Sequence, residues 1–157
     1  MVAAVYPDYL ALVLALLKAG WTSANTDSVT PTIAAIYDVQ DGGVFANVAR
    51  NDVVLVYSSS PESNGPQGCG YYDLEVKAFI SVDVRTPYGS TPAAGRAHAV
   101  KMRDEVRRIM DAARMGGVSS GCDLVIRGDS QDTTNKRTRV WGFVENFTMM
   151  SYAVAVQ

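Results

Sequence analysis

Two cysteines, Cys69 and Cys122, and one histidine, His98, are all that a chain of 157 residues offers to thiol, zinc or imidazole chemistry. Two thiols make no disulfide framework, and free thiols are the simpler expectation. Gly68-Cys69-Gly70 would expose a thiol, but no basic neighbour is evident to lower its pKa. The patterns G-x-x-x-x-G-K-[ST], H-E-x-x-H and G-x-S-x-G are absent, as is any zinc-type spacing of Cys and His. A lone histidine has no second imidazole to complete a site, so His98 is expected at a helix surface or boundary. The apolar run Tyr9 to Leu17 falls short of the ~20 residues that a membrane-crossing helix needs. The start, Met1-Val2-Ala3-Ala4-Val5, lacks the basic n-region of a secretory signal. These shortages point away from an enzyme, a bound cofactor or metal, and a membrane.

Charge of either sign is also modest. The net charge of −2 gives no general drive toward nucleic acid. Its distribution is uneven: residues 1–84 hold 3 Lys+Arg against 9 Asp+Glu, and residues 85–157 hold 11 against 7. The halves therefore carry balances of −6 and +4. Copies of such a chain could dock acidic surface on basic surface, head to tail, the kind of contact that closes rings.

Hydrophobic periodicity, by contrast, is plentiful. From Asp73 to Arg85, Leu74, Val76, Ala78, Ile80, Val82 and Val84 alternate with mostly polar residues, which makes a long strand with one buried face. From Pro92 to Met115, Ala99, Met102, Val106, Ile109 and Ala113 recur at three- and four-residue steps among charges, which makes an amphipathic helix. Asp8 can cap a first helix over Tyr9 to Leu17 that Gly20 ends; it is apolar almost all round, so more than one face should be covered. Thr32 to Tyr37 and Asp52 to Tyr57 read as strands, as does Leu124 to Arg127. Residues 38–43 and 128–135 have turn chemistry. Ser58 to Gly70 has no periodicity and is expected as an exposed, mobile loop or an extended hairpin tip. Arg137 to Val156 reads as one very long strand, or two joined by a bend near Asn146.

The order is thus α-β-β-β-α-β-β in a single domain of 157 residues. It favours an α+β fold: a mixed, mostly antiparallel sheet of about five strands, with two helices on one face. The opposite face would then need a cover. Its candidates are Phe79 and either Trp141 and Phe143 or Val140 and Val144, depending on register, and exposed aromatic surface marks interfaces.

The polar candidates are weaker. Arg96, Lys101, Arg103, Arg107, Arg108 and Arg114 interleave with Asp104, Glu105 and Asp111, the pattern of a solvated, pair-forming helix face. Asp129 and Asp132 read as turn formers, and the sequon Asn146-Phe147-Thr148 lies within a strand. Lys136, Arg137 and Arg139 are tighter and unmixed, and suit a contact with DNA passing a pore, a subunit contact or plain solubility.

In this order, "TPTIAAIYD", "NDVVLVY", "YDLEVKAFISVDVRTP", "AGRAHAVKMRDEVRRIMDAAR" and "DLVIRGDSQDTTNKRTRVWGFVENFTMMSYAV" resemble the tail-terminator and head-to-tail joining proteins of tailed viruses. The resemblance covers nearly the whole chain and rests on element order and length; the Ser/Pro/Gly stretch at 58–70 departs from it. It implies a short mixed sheet flanked by two helices. It implies a virion protein assembled in the host cytoplasm as a homo-oligomeric ring, a hexamer by resemblance. The ring would end tail-tube growth and contact the tail-tube and neck proteins, with DNA passing through its lumen. Trp141, Phe143, Phe147 and Phe79, together with Pro61, Asn64, Lys136, Arg137 and Arg139, are the expected interface residues. A head-completion or adaptor ring is the alternative within this class; a small α+β ligand-binding domain or enzyme using Cys69 or the carboxylates is the alternative outside it.

Overall fold

The computed structural model describes residues 8–36, 51–66, 73–113 and 124–154. Helix α1 (Tyr9–Gly20) begins where the Asp8 carboxylate accepts a hydrogen bond from the Ala11 N–H at 3.1 Å. It ends in close contact with the second helix, and a Cβ on Gly20 would stand 3.1 Å from a methyl carbon of Ile109. A 3-10 turn (Ser23–Thr26) leads to β1 (Thr32–Ile36), β2 (Val53–Pro66) and β3 (Asp73–Pro87). Helix α2 (Pro92–Ala112), β4 (Leu124–Asp132) and β5 (Val140–Val154) complete the described chain. Thr91 caps α2 through the Ala94 N–H, with Pro92 in the first turn, where its missing donor costs nothing. Gly95 allows α2 to leave β3 so closely that a Cβ there would collide with the Tyr88 carbonyl.

The fold is α+β, with a five-stranded mixed sheet in the order β1-β2-β3-β5-β4. β1 runs parallel to β2, and the remaining neighbours are antiparallel. Period-two alternation in β3 sends Val76, Ala78, Ile80, Val82 and Val84 to the helix-covered face. There they meet Met102, Val106, Ile109 and Met110 of α2 and Tyr9, Val13 and Leu17 of α1. Tyr9, Val13 and Leu17 recur every four residues, so α1 buries one stripe fully, while Leu10, Leu12 and Leu16 are half-buried on its flanks.

Of the two readings of residues 58–70, mobile loop or extended hairpin tip, the described part follows the second: it is strand as far as Pro66. β2 pairs with β3 out to Pro66 opposite Leu74, with register shifts between Ser58 and Ser60 and between Ser60 and Ser63. Pro61 falls within that irregular stretch, where a residue without an N–H is tolerated, and Asn64 lies opposite Val76. Backbone pairing with a long partner strand needs no apolar residues, so composition alone hid this extension. Likewise β4 continues through the expected 128–135 connector to Asp132, after a shift between Arg127 and Ser130. β5 starts at Val140 and runs unbroken past Asn146. Both cysteines, the turn at 38–43, Arg114 and the glycines at 116 and 117 lie outside the described residues.

Candidate interaction surface

The pairing register decides which aromatic residues could face a partner. Ile80 lies opposite Phe147, Val84 opposite Phe143 and Thr86 opposite Trp141, so these three aromatics share the helix-covered side of the sheet. Phe147 is 2% exposed within the main core. Phe143 is 4% exposed, with the Arg103 guanidinium 5.0 Å above its ring. Trp141 is half-buried and stacks on Tyr88 at 4.7 Å between centroids, its Nε1 without a hydrogen-bond acceptor. The expectation of exposed aromatic surface is corrected accordingly: of the four candidates, Phe79 alone keeps the opposite face, half-buried. Val140 takes that face with Val53 and Leu55, in a small cluster flanked by Ala34 and Ile36. Alternation told the two faces apart, but a one-residue change of parity exchanges them, and only the partner strand sets the parity.

The same face is crossed by a polar row. Ser81 donates to Asn146 at 2.5 Å, and the Asn146 amide donates to Asp129 at 3.0 Å, as does Gln131 at 3.2 Å. Asp129 is thus held by neighbours on its own sheet. Asp83 is buried beside Arg85, which donates to one carboxylate oxygen at 2.7 and 2.9 Å. Burial pushes the Asp83 carboxyl up, partly offset by Arg85. Tyr57 is also pushed up, by burial first and then by Asp83.

Four cations of α2, Lys101, Arg103, Arg107 and Arg108, are engaged within the chain. Arg107 grips the fully buried Glu145 of β5 through both oxygens, at 2.9 and 3.0 Å, and Ser130 donates to the same carboxylate. Arg108 grips Glu105 at 2.6 and 2.8 Å and reaches the Gly20 carbonyl at 2.6 Å. Glu105, 2% exposed, also accepts from the Thr22 N–H and the Asn25 amide, each at 2.8 Å. Arg108 beside it, helped by those donors, holds its pKa down to about 2. Arg103 pairs with Asp104, Lys101 with Asp27, and Arg127 of β4 with Asp111. The face read as solvated is pair-forming, but two of its carboxylate partners are core groups that helical spacing could not reveal. Glu145 had one legible signal, a lone charge in a strand otherwise rich in apolar residues.

His98 does lie at a boundary, and it is the hub of a junction. Its Nδ1 is 2.9 Å from Asp27 beyond the 3-10 turn, and its Nε2 is 3.0 Å from Asp52 at the foot of β2. Thr86 donates to the other oxygen of Asp52. Only the doubly protonated ring can donate to two carboxylates. Burial alone would lower the His98 pKa; the bonds to Asp27 and Asp52 outweigh it and hold it above the ordinary value. Among the described residues no cluster of three His, Cys, Asp or Glu is arranged to hold a metal. A cleft of about 300 Å³ between the C-terminal turns of the helices is lined by Leu16, Ala19, Gly20, Ile109 and Ala112, with the engaged Arg108 at its rim.

The β4–β5 turn is built differently. The Asn135 side chain accepts from the backbone N–H groups of Arg137 at 3.0 Å and Thr138 at 3.1 Å, and its main chain closes a bridge with Val140. Arg139 is held at φ 57° and its carbonyl accepts from the Tyr88 N–H at 3.0 Å. Asp132 accepts from the Thr134 N–H, which holds its carboxyl below the usual range, with Arg96 contributing at longer range. Lys136, Arg137 and Arg139 are all exposed, and no ion pair joins them to a described carboxylate. The cations read from sequence as the tighter cluster are among those that no described carboxylate engages, as is Arg96 of α2. The sequence matches no family model, and no curated protein matches it.

Proposed function

We propose that this chain is a structural virion protein of a tailed virus, a ring-forming tail terminator at the head-proximal end of the tail tube. The reading rests on one observation above the others. The α-β-β-β-α-β-β order, with both helices on one face of a five-stranded mixed sheet, is the arrangement that the resemblance implies. Two further features support it. The outer strands β1 and β4 each leave a sheet edge unpaired among the described residues, and an open edge is a template for another chain. The side chains of Lys136, Arg137 and Arg139 are exposed and form no ion pair with a described carboxylate, which leaves them available to a partner. In this reading the ring, hexameric by resemblance, stops tube growth, presents a docking face to the neck protein and lets DNA pass through its lumen.

Size-exclusion chromatography with light scattering, followed by negative-stain microscopy, tests the reading. The expected result is a closed ring that caps purified tail tubes at one end. A strict monomer at high protein concentration, with no rings and no binding to tubes, overturns it.

A further inference from the structure

The segment that enters β1 is fixed at two points. Upstream, Glu105 accepts from the Thr22 N–H and the Asn25 amide, which holds the 3-10 turn. Downstream, the Thr32 N–H donates to the Asp52 carbonyl at 3.0 Å, beside the first β1–β2 pair, Thr32 with Val53. Between these points Asp27 and Ser28 stand at φ 53° and 64°, a left-handed conformation that side chains other than glycine adopt reluctantly. Two such residues in a row persist where their surroundings hold them. The Asp27 carboxylate ties this turn to α2: one oxygen meets His98 Nδ1 at 2.9 Å and the other accepts from Lys101 at 2.5 Å.

His98 also reaches the start of β2. Its Nε2 lies 3.0 Å from Asp52, whose other oxygen accepts from Thr86 of β3. One imidazole therefore spans the turn before β1 and the strand beside it. β1 is an outer strand that pairs with β2 alone among the described residues, so what holds its entry matters to its attachment.

The two carboxylates are unequal. A neutral imidazole has one N–H, so it donates to one of them and turns a lone pair on the other. The Asp52 side chain is 15% exposed and would keep only Thr86; the Asp27 side chain is 45% exposed, open to water and still held by Lys101. Losing a donor costs more where water cannot replace it, so the proton stays on Nε2. Among the described residues Asp27 and Asp52 are the charges that act on the ring, and Lys101 reaches it through Asp27. Glu105, further along α2, is taken up by Arg108.

We infer that His98 is a proton-operated clasp on the entry to β1: the charged ring holds Asp27 and Asp52 together, and the ring that has lost its Nδ1 proton to solvent keeps Asp52 and lets the Asp27 turn go. The clasp is shut at low pH and opens as the pH climbs through the folded-state pKa of His98, which its two partners hold above 6.5. Opening is confined to residues 27–31, because Glu105 and the Asp52 carbonyl keep the flanking points. The inference stands apart from the ring reading and needs no partner.

NMR on the intact chain from about pH 5.5 to about pH 9 tests it. Imidazole nitrogen shifts read the tautomer, and amide exchange with solvent, corrected for the intrinsic effect of pH, reads local opening. The neutral ring should be the Nε2–H tautomer. The Ser28 and Val29 amides, which donate to the Ser23 and Thr26 carbonyls at 2.9 Å, should lose about tenfold in protection through the His98 titration. Met102 and Val106, buried on α2, should keep theirs. His98→Gln, which does not titrate in this range, should remove the step. A neutral ring protonated on Nδ1 overturns the inference, because Asp52 would then be the partner released. A step that is absent from the native chain, or that His98→Gln retains, overturns it as well. An equal loss of protection across α2 would make His98 a contributor to global stability only, and the clasp falls. If His98→Gln does not fold, the tautomer and the native exchange profile decide among these outcomes.

Discussion

Replacing Glu105 with glutamine removes a charge and almost no volume, and the structure says this should be costly. The native carboxylate is 2% exposed and accepts from Arg108 twice, from the Thr22 N–H and from Asn25. These contacts tie α2 to the segment that leaves α1. They hold the Glu105 pKa at about 2, against an ordinary 4.5. Each unit of such a difference corresponds to ~1.4 kcal/mol, so the drop is worth on the order of 3 kcal/mol. The Arg108 side chain is 47% exposed, and solvent screening reduces the figure to about 2 kcal/mol. The folded-state pKa is depressed, so this stability is present above about pH 4.5 and is lost as the pH falls toward about 2. Denaturant unfolding of the native chain and Glu105→Gln, followed by circular dichroism from pH 7 down to pH 2.5, measures the gap directly. It should be about 2 kcal/mol at neutral pH and close on acidification. Arg108→Ala should cost a similar amount, because it strands a buried carboxylate, whereas a solvated helix arginine would cost almost nothing. A neutral-pH gap below about 0.5 kcal/mol, or one independent of pH, would refute the account.

Arg107→Ala should destabilise the fold by about 3 kcal/mol, since it removes the two-pronged partner of the buried Glu145 under α2; a thermal-unfolding loss below about 1 kcal/mol would contradict this. Phe147→Asp should abolish the fold and not merely separate subunits, because Phe147 is a core residue; a soluble variant with a native circular dichroism spectrum would show otherwise. His98, the sole imidazole, should titrate above its ordinary 6.5 by NMR, and Asp52→Asn should bring it down. Because that pKa is raised, the His98 contribution is present below pH 6.5 and fades as the pH climbs through the folded value. A native titration at or below 6.5 would mean that Asp27 and Asp52 do not hold the charged ring.

Local pattern determined more of this protein than its polar content suggested. The alternation from Leu74 to Val84 and the three-and-four spacing from Ala99 to Ile109 specify a strand and a helix, because each period is a property of neighbouring residues alone. With the cap at Asp8 and the shorter apolar runs, they were sufficient for the element order and the α+β class. Tertiary structure decided what depends on residues distant in sequence. The parity that sends Phe143 and Phe147 under the helices is set by pairing with Val84 and Ile80. The hairpin out to Pro66 exists because β3 offers a backbone partner, which decides between the loop and the hairpin tip that composition left open. Glu105 and Glu145 look like surface charges until Arg108 and Arg107 are seen to reach them, since burial of a charge is tolerable only where a partner arrives from elsewhere. The separation of sequence charge into acidic and basic halves was visible in the residues. Where those residues go was decided by the antiparallel β2–β3 and β3–β5 pairings, which place the far half of the hairpin at one end of the sheet and the Lys136–Arg139 turn at the other.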